Sequence, residues 1–415
     1  MSGSIEDGEV CNYKSQNLQM RILMLTPYLP WPLHSGGQIR TYNLLKNLAD
    51  KHEITLFSFI RDEQERSYVG KLAPFCRKIR CFKRTKSPWA VRNILLSGFT
   101  PYPFLVSIYL SSTARRELTQ ELLANEYDII HAETFYVMPN IPRTKIPTLL
   151  VEQTIEYLGY QTFTDQSAPL LVRPLLWIDV WKLKFWEKFF WKKADMLVAM
   201  SGEDKRWIER LVPQARVSVV ANGIDVDYFR KTPIKRPKNP TVLFVGNYKW
   251  LPNVDAASYL VEEIWPLIHQ KMPEARLNIV GRDATARVKR FERVAGVKVV
   301  GEVEDIRDAL GSAHVTLAPI RNGRGTRYKI LEPMAAKLPV VSTSLGIEGI
   351  EAKDGVHALI KDSAVGLAEA TVKILADKKL AERLSENAFE LVMNNFNWEK
   401  ISTDLDVVYR ELGRR

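Results

Sequence analysis

Short β-branched runs alternate with longer amphipathic stretches along this chain, the pattern of a parallel sheet covered by helices. The first run, RILMLTPYLP, precedes a glycine-containing loop at Ser35-Gly36-Gly37, a helix through TYNLLKNLADK and a strand at ITLFSFI. Together these make a βαβ unit with a long loop at its first crossover. Apolar strands follow at YDIIHAE, TLLVEQ, DMLVAMS and VSVVANG. Each ends in polar residues, where an open α/β sheet presents its ligand crevice. Proline and lysine interrupt the periodicity over 231–240, which reads as a linker. A second series then begins afresh at TVLFVGN and continues through RLNIVGRD, VKVVGEV, VTLAPI, PVVSTS and HALI. The pattern predicts an α/β protein of two doubly wound domains, 20–230 and 241–395, facing each other across a cleft. Residues 1–19 read as a flexible lead-in. The chain is helical by period from about Gly366, and 396–415 reads as a C-terminal helix packing back toward the first domain.

Composition narrows the class. The 415 residues leave room for two domains of ordinary size, and 46% hydrophobic with 26% charged residues is a soluble globular balance. No apolar run reaches the roughly 18–20 residues a bilayer span requires, and the first nineteen residues lack the apolar core of a signal peptide. Three cysteines, Cys11, Cys76 and Cys81, are too few and too oddly spaced for a disulfide framework or a metal cage, which points to the cytoplasm. The net charge of +11 calls for an anionic partner: nucleic acid, an anionic membrane surface, or a phosphate-bearing substrate. The chain carries no zinc-finger, RNA-recognition or helix-turn-helix signature, so nucleic acid is set aside.

Three strand-to-loop junctions carry candidate chemistry. Gly246-Asn247 directly follows the strand TVLFV, where a glycine lets the backbone approach a ligand and the next helix start offers free N–H groups to an anion. A tight βα turn accounts for it equally well. Residues 321–332, RNGRGTRYKILE, set four cations and two glycines at the opening of an apolar helix. Such a run is usually a solvated face. After the strand VTLAPI, though, exposed amides, a helix N-terminus and Arg and Lys donors together suit a diphosphate. The third junction is Asp128-Ile129-Ile130-His131-Ala132-Glu133, a strand ending in a histidine at an edge facing the second domain. It suits a structural histidine as well as a site one.

These residues together resemble the retaining glycosyltransferases of the two-Rossmann GT-B type, family 4 (glycosyl transferases group 1). The resemblance runs over nearly the whole chain from Met20. It rests on Gly36-Gly37, Ala194-Asp195 to Ser201, Ala221-Asn222-Gly223-Ile224-Asp225-Val226-Asp227-Tyr228-Phe229, and most specifically Lys329-Ile330-Leu331-Glu332-Pro333-Met334-Ala335-Ala336. It implies an acceptor-binding first domain and a second domain holding a nucleotide-diphosphate sugar. Glu332 then matches the second carboxylate of the family's paired-glutamate motif and would hold the donor ribose hydroxyls. The first glutamate is replaced by Arg324, within a stretch Gly325-Thr326-Arg327 that looks like a variant of the motif. The family's arginine and lysine for the diphosphate are here Asn247 and Asn253. Their charge would be replaced by Arg324, Arg327 and Lys329. His131 matches the histidine near the donor sugar, Gly36-Gly37 would lie by the diphosphate or acceptor, and Gly301-Glu302 would meet the base. His131, Arg327 and Lys329 are thus the catalytic candidates. Gly36, Gly37, Gly246, Asn247, Gly301, Glu302, Arg324, Gly325, Thr326 and Glu332 are those for donor binding.

Asp225-Val226-Asp227 spells a metal motif but closes the first domain and reads as a linker turn. The expectation is therefore a transferase without metal or other cofactor, its leaving diphosphate stabilised by cations and amide dipoles. A non-catalytic nucleotide-sugar-binding protein is the alternative that Arg324 keeps open. Finally, 170–193, LLVRPLLWIDVWKLKFWEKFFWKK, interleaves tryptophans with lysines. A long packed helix accounts for it. So does a segment lying on an anionic membrane beside a glycan or lipid-linked acceptor.

Overall fold

The computed structural model describes residues 19–166, 168–322 and 328–413. Seven parallel strands form the first sheet: β1 (Arg21–Thr26), β2 (Glu53–Ile60), β3 (Lys78–Lys83), β4 (Ile129–Glu133), β5 (Thr148–Glu152), β6 (Met196–Ala199) and β7 (Val217–Val219). Their order is β3-β2-β1-β4-β5-β6-β7. Six more form the second: β8 (Thr241–Val245), β9 (Arg276–Val280), β10 (Val297–Gly301), β11 (Val315–Ala318), β12 (Val340–Ser342) and β13 (Leu359–Ile360), ordered β10-β9-β8-β11-β12-β13. In both sheets the order reverses beside the first strand, so β1/β4 and β8/β11 are the points where crossovers leave in opposite directions and open a crevice. The fold is α/β with two doubly wound sheets, as the periodicity predicts.

The strands read as continuous apolar runs because both faces of each sheet are covered. In β1, Leu23 and Leu25 join one buried cluster while Ile22 and Met24 join the cluster on the opposite face. β3 escapes the sequence reading for the converse reason. It is an edge strand, KIRCFK, in which only Phe82 is buried, and alternating cations protect a free edge from further pairing.

A second difference lies at the first crossover. Gly36-Gly37 is not loop but the first turn of the helix Gly36–Leu48, with Ser35 as N-cap accepting the Gln38 N–H. The chain crosses between the sheets twice, and the crossings are bonded to each other: the Ile224 N–H donates to the Phe396 carbonyl at 2.6 Å. Residues 231–240 hold no helix or strand. The helix Trp398–Gly413 then returns to the first sheet. Its Trp398, Ile401, Leu405, Tyr409 and Leu412 are buried at a helical spacing that makes one stripe. Asp406 from the same helix bonds His52 Nε2 at 2.9 Å.

Candidate active site

The carboxyl ends of β1, β4 and β5 carry a connected polar group. Glu133, the last residue of β4, is fully buried. His131 Nε2 lies 3.1 Å from Glu133 Oε1, and the Gln153 amide donates to Glu133 Oε2 at 2.6 Å. Gln153 also reaches the Tyr28 hydroxyl at 2.7 Å. His131 Nδ1 is 2.5 Å from the Tyr409 hydroxyl. Since a carboxylate can only accept, Nε2 carries the proton toward Glu133. Burial opposes ionisation of Glu133. The bond and charge of His131, with Arg40 and Gln153, outweigh it and hold the carboxyl below the usual carboxylate range.

Arg40 belongs to this group through charge. It stands one turn into the helix Gly36–Leu48 and is fully buried, at 0% exposure. Its Nη1 donates to the Ala221 carbonyl at 2.6 Å and to Asn222 Oδ1 at 3.3 Å, but Nε and Nη2 have no partner among the described residues. A buried guanidinium with two idle donors is costly unless something binds there. Burial lowers its proton affinity, while Glu133, Tyr328 and Tyr28 oppose that. Gly37 has a steric reason to be glycine. A Cβ there would come 2.2 Å from the Tyr28 hydroxyl and 2.5 Å from Gln153 Oε1.

Facing this edge is the first turn of the helix Tyr328–Ala335. The Tyr328 hydroxyl is buried without a partner among the described residues, and Arg40 and Glu332 both act on its charge. Glu332 is partly exposed, yet its surroundings are dry enough that burial pushes its carboxyl up to about 7, with Lys329 pulling the other way. Lys329 Nζ bonds Asn253 Oδ1, and the Asn253 amide donates to the Asn247 carbonyl at 2.8 Å. The lysine thus stands beside the two asparagines that replace the expected cations. Gly246 follows β8, its N–H held by the Val280 carbonyl at 3.0 Å. At the end of β10, Gly301 has φ +76° with open space around it, and Glu302 beside it is exposed.

The structure therefore brings Gly36, Gly37 and His131 to one sheet edge and gathers Gly246, Asn247, Lys329 and Glu332 on the other. Arg324, Gly325, Thr326 and Arg327 lie outside the described residues. His131, expected to bond a sugar hydroxyl, has no free ring nitrogen: it is fully buried and both nitrogens are engaged. Asp225 caps the helix Val226–Arg230 by accepting the Tyr228 N–H, and Asp227 pairs with Arg230 at 2.9 Å.

Sequence reasoning missed Arg40, Glu133, Tyr28, Gln153 and Tyr328. The signal for Arg40 was a cation one turn beyond a capped glycine pair. That for Glu133 was a carboxylate closing an otherwise apolar strand. A further group missed is Glu156, just past β5. Burial pushes its carboxyl up to about 7, and it acts electrostatically on Tyr109, Tyr136 and Tyr160. Arg84 lies over the Tyr109 ring at 5.3 Å with a buried Nε that has no partner among the described residues.

Two family models match this chain: Glycosyltransferase Family 4 over 34–228 and Glycosyl transferases group 1 over 239–377. The chain belongs to glycosyltransferase family 4. A phosphatidyl-myo-inositol mannosyltransferase of Mycobacterium leprae is 25% identical over 325 residues, covering 75% of this chain and 82% of that one. Among solved structures, sucrose-phosphate synthase from Thermosynechococcus elongatus superposes with a TM-score of 0.67 at 19% identity, over 95% of this chain and 99% of the other. Anabaena HepE in complex with UDP and glucose gives 0.60 at 14% identity, over 95% and 100%. The transferase is thus an enzyme of GT-B architecture. Among the described residues, no helix is long and apolar enough to cross a membrane.

Proposed function

We propose that this glycosyltransferase moves a sugar, with retention of anomeric configuration and without a metal, from a nucleotide-diphosphate donor to a glycan or lipid-linked acceptor. The observation that carries the reading is the guanidinium of Arg40, with two unpartnered nitrogens among the described residues, carried on a glycine-opened helix opposite the turn bearing Tyr328, Lys329 and Glu332. Glu332 accepts from the ribose hydroxyls. Lys329, with Arg324 and Arg327, supplies charge to the diphosphate, and the backbone at Gly36-Gly37 and Gly246-Asn247 lets it approach closely. Gly301 and Glu302 meet the base through backbone groups. His131 acts as a positioning residue: it fixes Glu133, whose charge offsets that of Arg40.

In this scheme the bond from the anomeric carbon to the diphosphate oxygen breaks. The acceptor hydroxyl oxygen bonds the same face of that carbon, and its proton passes to the departing phosphate. Glu156 and the tyrosines around it suit the acceptor side. The name of the mycobacterial relative, a phosphatidyl-myo-inositol mannosyltransferase, supports a lipid-linked acceptor here. The test is a thermal-shift panel of UDP, GDP, ADP and TDP with EDTA present. One diphosphate should raise Tm by linkage, and Glu332→Ala should abolish the shift. A shift that needs a divalent cation defeats the metal-free reading.

A further inference from the structure

Two neighbouring helices of the first domain face solvent with their apolar sides. In the helix Val91–Phe99, the polar Asn93 is buried while Val91, Ile94, Leu95 and Phe99, spaced as one stripe, are exposed, Phe99 by 86%. A helix docked on a core carries the reverse arrangement.

The longer helix Arg173–Lys193 is apolar on two opposite faces. Val180, Leu183, Phe190 and Trp191 pack inward, whereas Ile178, Trp181, Phe185 and Phe189 form a second stripe outward, Trp181 being 69% exposed. The short turn Leu170–Val172 before it leaves Leu171 94% exposed. The two helices are locked together: Lys182 Nζ donates to the Ser97 and Thr100 carbonyls at 2.6 and 2.9 Å, and Asp179 accepts the Ser97 hydroxyl at 3.2 Å. Their outward stripes thus belong to one surface. Such contiguous exposed apolar area marks an interaction site.

We infer that this two-helix surface docks on an anionic lipid bilayer. Charge selects that occupant. Both acidic side chains of the helix Arg173–Lys193 turn inward: Asp179 toward Phe104, and Glu187 to the Glu156 and Tyr157 N–H groups. Lys188, Lys192 and Lys193 remain at its far end with no acidic partner among the described residues. A second copy would bring only the same surface, where this helix offers no outward carboxylate to pair with these lysines. Anionic headgroups would neutralise them, the stripe would enter the acyl boundary, and the tryptophans would sit at the headgroup level. The inference deepens the transferase reading, on which it rests only in bringing a lipid-borne acceptor within reach.

The test is flotation of the full chain with phosphatidylcholine vesicles, with and without 30% phosphatidylglycerol. Binding should require the anionic lipid and weaken with salt. Phe99→Ser with Trp181→Ser should abolish it at unchanged circular dichroism. Lys188→Ala with Lys192→Ala should weaken it by roughly 25-fold, about fivefold per lysine. Equal binding to both vesicle types, or binding that survives Phe99→Ser with Trp181→Ser, overturns the proposal. So does a solution dimer that the serine variants dissociate without any flotation by the wild type. Donor hydrolysis in vesicle-free buffer, unchanged in all these variants, keeps a failure here distinct from a failure of the transferase reading.

Discussion

Glu332 offers the sharpest quantitative handle on the donor site. Burial raises its carboxyl to about 7, so the free enzyme carries the ionised form in about one molecule in ten at pH 6 and about nine in ten at pH 8. The ionised form is the better acceptor for two ribose hydroxyls. A hydrogen bond to a charged group contributes about 1.5–3 kcal/mol, against about 1 kcal/mol for a neutral pair. Over two hydroxyls the carboxylate should therefore exceed an amide by on the order of 1–4 kcal/mol. Glu332→Gln should accordingly bind the stabilising nucleoside diphosphate about fivefold or more weakly at pH 8. At pH 6 the wild type loses most of that advantage and the two proteins converge. The measurement is isothermal titration at pH 6, 7 and 8. The terminal phosphate of the free ligand titrates in the same range, so the Gln variant supplies the baseline. A ratio of the two dissociation constants that stays constant across these pH values refutes the assignment. A variant that binds as tightly as wild type at pH 8 does so outright.

Three other outcomes are expected. Arg40→Lys keeps the charge but loses the fork, and should weaken diphosphate binding about tenfold while lowering Tm; an unchanged dissociation constant would separate Arg40 from the donor. Gly37→Ala drives a Cβ to 2.2 Å from the Tyr28 hydroxyl and should cost about 1–3 kcal/mol in chemical denaturation, with donor turnover falling alongside. Glu152 is fully buried, and burial together with nearby Glu187 pushes its carboxyl well up. Folded protein then binds a proton that the unfolded chain releases, so this group's drain on stability is absent below the unfolded carboxylate range and grows as pH rises above it. Glu152→Gln should therefore raise Tm more at pH 8 than at pH 5, and an equal or lower Tm at pH 8 would contradict that sign.

The sequence by itself determined the architecture. Strands covered on both faces are mainly apolar, so among the described strands all but β3 announce themselves, and the two series divide at the lysine- and proline-rich segment. β3 stayed hidden because its run KIRCFK is half cationic and buries only Phe82, whereas the other edge strands β7, β10 and β13 keep a mainly apolar run. Lys329 and Glu332 were legible for a local reason: an ordered motif at a helix start fixes its own geometry. Arg40, Glu133, Gln153 and Tyr328 were not. They come from the helix after β1, the end of β4, the loop after β5 and the opposite half of the chain, and only the fold sets one charge against another. Tertiary structure likewise decided that His131 is enclosed, since the Tyr409 that takes its second nitrogen stands 278 residues away. The composition of 170–193 left both a packed helix and a surface helix open. Packing shows the packed helix, with one apolar face buried and the opposite one left exposed, because a helix apolar on two opposite faces can bury only one of them against a single sheet.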